Sequence, residues 1–176
     1  MKTIIKHNTK NYTIDLSQPL DISIPITGKS TNVNAWYVDP PKIEPHTEGE
    51  FIGKVTEGAS TNFNDISFNP HAHGTHTECI GHITEEFYSV NKSLSKFFFM
   101  TEVITIAPEK INGDFVISKK QLQYALGNKN REAVVIRTIP NLRDKMTRQY
   151  ANTNPPYLLE SAAQLLVDKG VEHLLI

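Results

Sequence analysis

Cysteine is nearly absent. Cys79 is the only one in 176 residues, so no intramolecular disulfide can form, which fits a reducing, cytoplasmic setting. Long apolar runs are missing as well. Phe97 to Met100 and Ala133 to Ile136 are the longest, far short of the ~20 residues that a bilayer-crossing helix needs. The stretch from Met1 to His7 carries no apolar core of a secretory signal. Neither sign of charge dominates: 18 Lys and Arg stand against 19 Asp and Glu, a formal net charge of -1. Without surplus cations to release counterions from a phosphate backbone, nucleic acid is excluded as the expected partner. No repeat or low-complexity tract is visible. Hydrophobic residues at 39% and charged residues at 21% exclude wholesale disorder, collagen and coiled coil. The length predicts one domain over residues 1–176.

Two styles of sequence follow one another. Up to about residue 85 the chain has short extended segments rich in Pro, Gly, Asn and Thr. Thr3–Lys6 and Tyr12–Leu16 read as a hairpin around Asn8-Thr9-Lys10-Asn11. Ile22, Ile24 and Ile26 alternate with Ser23 and Pro25 as a half-buried strand or edge segment. Residues 50–56 and 66–68 are further strand candidates. From residue 86 helix and strand alternate. Residues 102–106 read as a strand that stops at Pro108. Ser118 and Gln121 form a capping-box pattern that opens a helix ending at Gly127. Residues 133–136 read as a buried strand. Residues 155–169 read as a helix with an apolar stripe of Leu158, Leu159, Ala162, Leu165 and Leu166, stopped by Gly170. Residues 171–176 close as another strand. Strand, helix and strand in this order predict an α/β fold with a parallel pair in its sheet. The apolar finish at Leu174-Leu175-Ile176 comes where an α/β sheet normally places a site-building loop. The domain is therefore expected to lack a C-terminal portion.

Histidine is where the sequence departs from even scatter. Four of its seven fall within residues 71–82: His71, His73, His76 and His82. Glu78 lies two residues after His76, so an extended segment turns both to one side. His82 follows Glu78 by four, a spacing that shares a face on a helical turn. Imidazoles with a carboxylate are the donor types that hold Zn²⁺ or Mn²⁺ and leave a position open for water. Such an ion lowers the pKa of its water from 15.7 to about 7, which is what amide or ester hydrolysis needs. A polar loop whose histidines bond to backbone carbonyls is the plain alternative. Cys79 reads as a small buried side chain rather than a nucleophile or soft ligand. Trp36 and Tyr37 beside the Asp39-Pro40-Pro41 turn can wall an aromatic substrate pocket or simply pack. Residues 97–100 are too apolar for a solvent loop and predict core or dimer contact. Arg137 ends a buried-type strand and can hold a carboxylate of substrate or protein.

The chain resembles the metal-dependent cyclase-like family, which includes bacterial kynurenine formamidases and isatin hydrolases. The family hallmark is His-x-Gly-Thr-His-x-Asp-x-Pro-x-His. The matching stretch here runs Ala72-His73-Gly74-Thr75-His76-Thr77-Glu78-Cys79-Ile80-Gly81-His82. Asp15-Leu16-Ser17-Gln18-Pro19-Leu20 resembles the family's opening strand, and Trp36-Tyr37-Val38-Asp39 stands where Trp-Pro-Gly-Asp is frequent. Residues 133–138 resemble a central strand, and 157–171 the helix and turn before the next one. The resemblance implies a swivelling β/β/α fold, a mixed sheet core with flanking helices, and a homodimer. It implies a divalent ion, Zn or Mn, held by His76 and Glu78. It gives His82 the place of a second-metal ligand or general base, and the reaction is hydrolysis of a small amide or formamide, with N-formylkynurenine of tryptophan catabolism as the leading substrate.

The departures from the hallmark matter. Alanine at 72 cannot bind metal. His71 or His73 can replace the missing ligand only if a bulge or turn corrects a one-residue shift. Glu78 replaces Asp and reaches about 1.5 Å farther. Ile80 replaces Pro. The family's remaining ligands would lie past residue 176. These departures leave a second expectation open: a non-catalytic member that binds metal or a small molecule through a degenerate site.

Overall fold

The computed structural model describes residues 1–176. In chain order the strands and helices are β1 (Lys2–His7), β2 (Lys10–Asp15), β3 (Lys42–Pro45), β4 (Thr47–Glu48), β5 (Phe51–Ile52), β6 (Asn64–Ser67), α1 (Pro70–His73), α2 (Val90–Ser93), β7 (Thr101–Ile106), β8 (Glu109–Ile111), β9 (Asp114–Ile117), α3 (Lys119–Leu126), β10 (Ala133–Thr138), β11 (Tyr157–Leu158), α4 (Glu160–Asp168) and β12 (His173–Leu175). The chain is mixed α/β, with small sheets and four helices.

The second half builds the core. β7, β10 and β12 form a parallel sheet in the order β12-β10-β7. β7 alternates: Ile104 and Ile106 are buried, while Val103 and Thr105 face away. The inward side chains meet Val134 and Ile136 of β10, Ile117 of β9, Leu122 and Leu126 of α3, and Ala162, Leu165 and Leu166 of α4. Helix α3 begins as expected: the Ser118 hydroxyl accepts the Gln121 N–H, and the Gln121 side chain accepts the Ser118 N–H at 3.1 Å. It ends at Gly127, whose φ of +54° favours glycine. Beside this unit, β8 and β9 make a hairpin and β11 joins β9 in parallel.

Several expectations need correction here. The helix expected over residues 155–169 starts only at Glu160. Pro155-Pro156 hold the chain extended, and residues 157–158 pair with β9 instead. The Leu159 N–H then bonds to the Ile117 carbonyl. Ala162, Leu165 and Leu166 still form the buried stripe. The Ile22–Ile26 segment is not a strand. Pro25 removes a donor, and Ile22 stays exposed. In residues 50–56 only Phe51–Ile52 is strand, and a 3₁₀ turn follows over Val55–Glu57. Of residues 97–100, expected as core or dimer contact, Phe97 and Phe98 are exposed and so not core of this chain. Phe99 and Met100 are half-buried, and Phe99 stacks on the His173 ring at 4.1 Å.

The first half is a set of two-stranded ribbons. β1 pairs with β2 antiparallel, turning at Asn8, whose φ is +53°. β3 pairs with β6, and β4 with β5. This ribbon half carries the histidine-rich stretch.

Candidate metal centre

Asn69-Pro70 opens the site. Proline at the first helical position has its φ preset. The Asn69 side chain accepts the His71 N–H at 2.9 Å. The result is the single helical turn α1. It buries Ala72 and His73 and leaves His71 on the outside. At Gly74 the backbone becomes extended. A side chain there would press against Ile26 Cγ1 at 3.1 Å and the Ile24 carbonyl at 3.3 Å. Cys79 is extended, and residues 80–82 curl into a 3₁₀ turn that presents His82. Gly81 is required in that turn because a Cβ would lie 2.4 Å from the Tyr88 carbonyl oxygen.

Three imidazoles converge on one carboxylate oxygen. Glu78 Oε2 lies 3.1 Å from His71 Nδ1, 3.6 Å from His82 Nδ1 and 3.7 Å from His76 Nε2. The ring of His71 stacks on His82 at 4.4 Å and meets His76 edge-on at 4.9 Å. Donor atoms of His71, Glu78 and His82 all lie within 4.8 Å of one another. Ligands about 2.1 Å from a tetrahedral ion stand about 3.4 Å apart, so these spacings fit a shared divalent cation. His76 adds a tautomer argument. Its Nδ1–H donates to the Gly74 carbonyl at 3.0 Å, which leaves the Nε2 lone pair facing Glu78. The donor set, imidazole nitrogen with carboxylate oxygen, suits Zn²⁺ or Mn²⁺. The side chains of His71, Glu78 and His82 are each more than 40% exposed, so a dissolved ion reaches them freely.

His73 sits elsewhere. Its ring is buried, Nδ1 accepts the Asn69 N–H at 2.9 Å, and Nε2 is buried without a partner. It lines an open cleft of about 320 Å³ with Val38, Asp39, Lys42 and Asn69. None of His71, His76, Glu78 or His82 lines that cleft. Trp36 is exposed and does not line it either. Trp36 and Tyr37 both adopt positive φ, +61° and +58°, a costly conformation for aromatic residues, and the Tyr37 hydroxyl donates to Asn152 Oδ1 at 2.8 Å. Cys79 is half-buried and its thiol donates to the Tyr88 carbonyl at 3.3 Å.

A family model described as "Putative cyclase" matches residues 14–176. The chain belongs to the cyclase family. No curated protein and no solved structure matches it. Within this chain, the hallmark-like stretch is the segment that brings His71, His76, Glu78 and His82 together.

Sequence reasoning missed the residues that support this loop. Asn32 and Thr27 carry no motif, and Thr75 belongs to the hallmark but was given no role; their contacts come only from chain segments meeting in space. It also missed a second His/Glu group, Glu132, Glu172 and His173. There the Lys96 ammonium pairs with Glu132, and the pair holds the ammonium above its ordinary pKa. This group ties the start of β10 to that of β12. No helix of the chain is long and apolar enough to cross a membrane.

Proposed function

We propose that this cyclase is a metal-dependent hydrolase of a small amide, with arylformamides such as N-formylkynurenine as the substrate class and the cytoplasm as its setting. The observation that carries the reading is the convergence of three imidazole nitrogens on Glu78 Oε2 within 3.1–3.7 Å. His71 Nδ1, Glu78 and, by its hallmark position, His76 Nε2 would hold a Zn²⁺ or Mn²⁺ ion, while His82, whose donor atom also lies within 4.8 Å of those of His71 and Glu78, takes the hallmark's base position. When bound, that ion makes water acidic near neutral pH and polarises a carbonyl. His82, stacked on His71, takes a proton from the attacking water and returns it to the departing amine nitrogen as the C–N bond breaks. The products are a carboxylic acid, formic acid for a formamide, and an amine. His73 has no place in this set, because its one lone pair is already used by the Asn69 N–H.

A homodimer belongs to the same reading. The chain exposes 13534 Å², whereas a compact monomer of 19.8 kDa exposes about 8,600 Å². A standard interface hides only about 800 Å² per partner, so surface is ample. Val103, Val135 and Leu175 lie in one row across the uncovered face of the β12-β10-β7 sheet. Parallel sheets are normally covered on both faces, and a second copy is the proposed cover. Light scattering on the purified chain should give twice the monomer mass; a monomer mass would remove this part.

A second reading, a metal-binding member without catalysis, is favoured by one observation. The ligand cluster lies open to water, with no wall to exclude it. Metal content by mass spectrometry, beside His76→Ala, decides first. About one or two ions per chain, lost in the variant, together with formamide hydrolysis, supports the enzyme. Bound metal without hydrolysis supports the second reading. No bound metal after adding Zn²⁺ and Mn²⁺ overturns both.

A further inference from the structure

The ligand-bearing loop does not hold itself in place. Two residues far upstream grip it. Asn32 is only 3% exposed, and its amide is fully used. Oδ1 accepts the Thr27 N–H at 2.8 Å. Nδ2 donates to the Val33 carbonyl at 2.7 Å and to the His73 carbonyl at 2.8 Å. The main-chain carbonyl of Asn32 accepts from Gln149 Nε2 at 2.9 Å. One buried side chain thus ties residues 27–33 to His73, the second residue of the hallmark stretch, while its backbone reaches residue 149. The second grip lies two residues farther on, where Thr75 Oγ1 accepts the Ile24 N–H at 2.9 Å. Between the two grips, Gly74 packs against Ile24 and Ile26, where a Cβ would lie 3.1 Å from Ile26 Cγ1 and 3.3 Å from the Ile24 carbonyl oxygen.

This geometry reaches the candidate metal centre through the backbone. The His73 carbonyl is held by Asn32. The next carbonyl, that of Gly74, accepts the Nδ1–H of His76. That bond turns His76 Nε2 toward Glu78. A carbonyl that orients a ligating imidazole acts on metal affinity, and losing such support typically costs 10–100-fold. The Asn32 contacts are charge-neutral and buried, so their work is geometric. The same segment explains why Ile22–Ile26 is not a strand: its Ile24 N–H serves the loop rather than a ladder.

We propose that Asn32 and Thr75 are positioning residues for the metal centre, acting through the His73 and Gly74 carbonyls to aim His76. This rests on the metal-binding reading above, and the experiment separates the two. Co²⁺ is titrated into the full chain, with its visible absorption and dissociation constant as readouts and circular dichroism and Tm recorded in parallel. Asn32→Asp keeps the size but sets an oxygen against the two carbonyls that Nδ2 now serves. Thr75→Val removes the acceptor at an exposed position where folding is not at risk, and Thr75→Ser restores it. The expected result is Co²⁺ binding weakened about 10–100-fold, with a changed absorption band, in Asn32→Asp and Thr75→Val, and wild-type binding in Thr75→Ser. A merely structural role would lower Tm and leave affinity and band unchanged. Wild-type affinity and spectrum in Thr75→Val overturn the proposal, including the case where Asn32→Asp does not fold. Failure of the wild-type chain itself to bind Co²⁺ overturns the metal reading, and this inference with it.

Discussion

Replacing His71 with alanine tests the most specific feature of the centre, a ligand one residue off the hallmark register. His71 Nδ1 is the nitrogen closest to Glu78 Oε2, at 3.1 Å. Loss of an outer-shell partner costs 10–100-fold in metal affinity, so loss of a direct donor should cost at least about 100-fold, or about 2.8 kcal/mol at 1.4 kcal/mol per tenfold. Folding should barely respond. The His71 side chain is 41% exposed, and exposed substitutions of this kind stay within about 0.5 kcal/mol. At about 2–4 °C per kcal/mol for a chain of this size, Tm moves by less than about 2 °C. Ala72→His gives the opposite pattern. Ala72 is 4% exposed, and an imidazole forced into that space costs about 1–3 kcal/mol. Tm then falls by about 2–12 °C, and affinity does not recover in a His71→Ala background. The assay is Zn²⁺ competition against a coloured chelator, with Tm measured on the same samples. Unchanged affinity in His71→Ala refutes the ligand assignment. Recovered affinity with unchanged Tm on adding Ala72→His refutes the placement of α1.

Three further outcomes follow from the fold. Leu122→Ala empties a position with 0% exposure at the centre of the core and should cost about 2–5 kcal/mol in urea unfolding; a loss below about 1 kcal/mol would mean the core is loose. Hydrogen bonds from Lys129 and Arg131 hold the Glu102 carboxyl below its usual range, so its stabilisation is complete above the ordinary carboxylate pKa and is lost as pH falls through the lowered value. Glu102→Gln should therefore flatten the acid limb of stability against pH, and an identical limb would count against the pair. Trp36→Gly places glycine at a φ of +61° and should leave Tm unchanged or raise it by a few degrees, because the strain exceeds the little burial lost; if Trp36 also contacts an aromatic substrate, KM rises while bound metal stays constant.

Local chemistry made part of the fold legible in advance. The Ser118–Gln121 capping box, the Gly127 stop and the apolar run from Ala133 to Ile136 each act through neighbours in sequence, and each forms the expected element. The misreadings fell where distant partners compete for the backbone. Residues 157–159 carry a helix-like stripe, but the Ile117 carbonyl takes the Leu159 N–H. Ile24 looks like a strand residue, but its N–H is taken by Thr75.

The sequence alone determined the cyclase resemblance and the donor types of the candidate centre, because spacing sets which side chains share a face, and histidine with glutamate sets which ions such a group could accept. It left His71 and His73 equal as replacements for the missing first histidine. Tertiary structure separates them in space, because the one-turn helix α1 packs Ala72 and His73 inward and turns His71 out toward Glu78. Nor could it single out Asn32, since a lone asparagine carries no signal until burial and three converging backbone groups give it one arrangement.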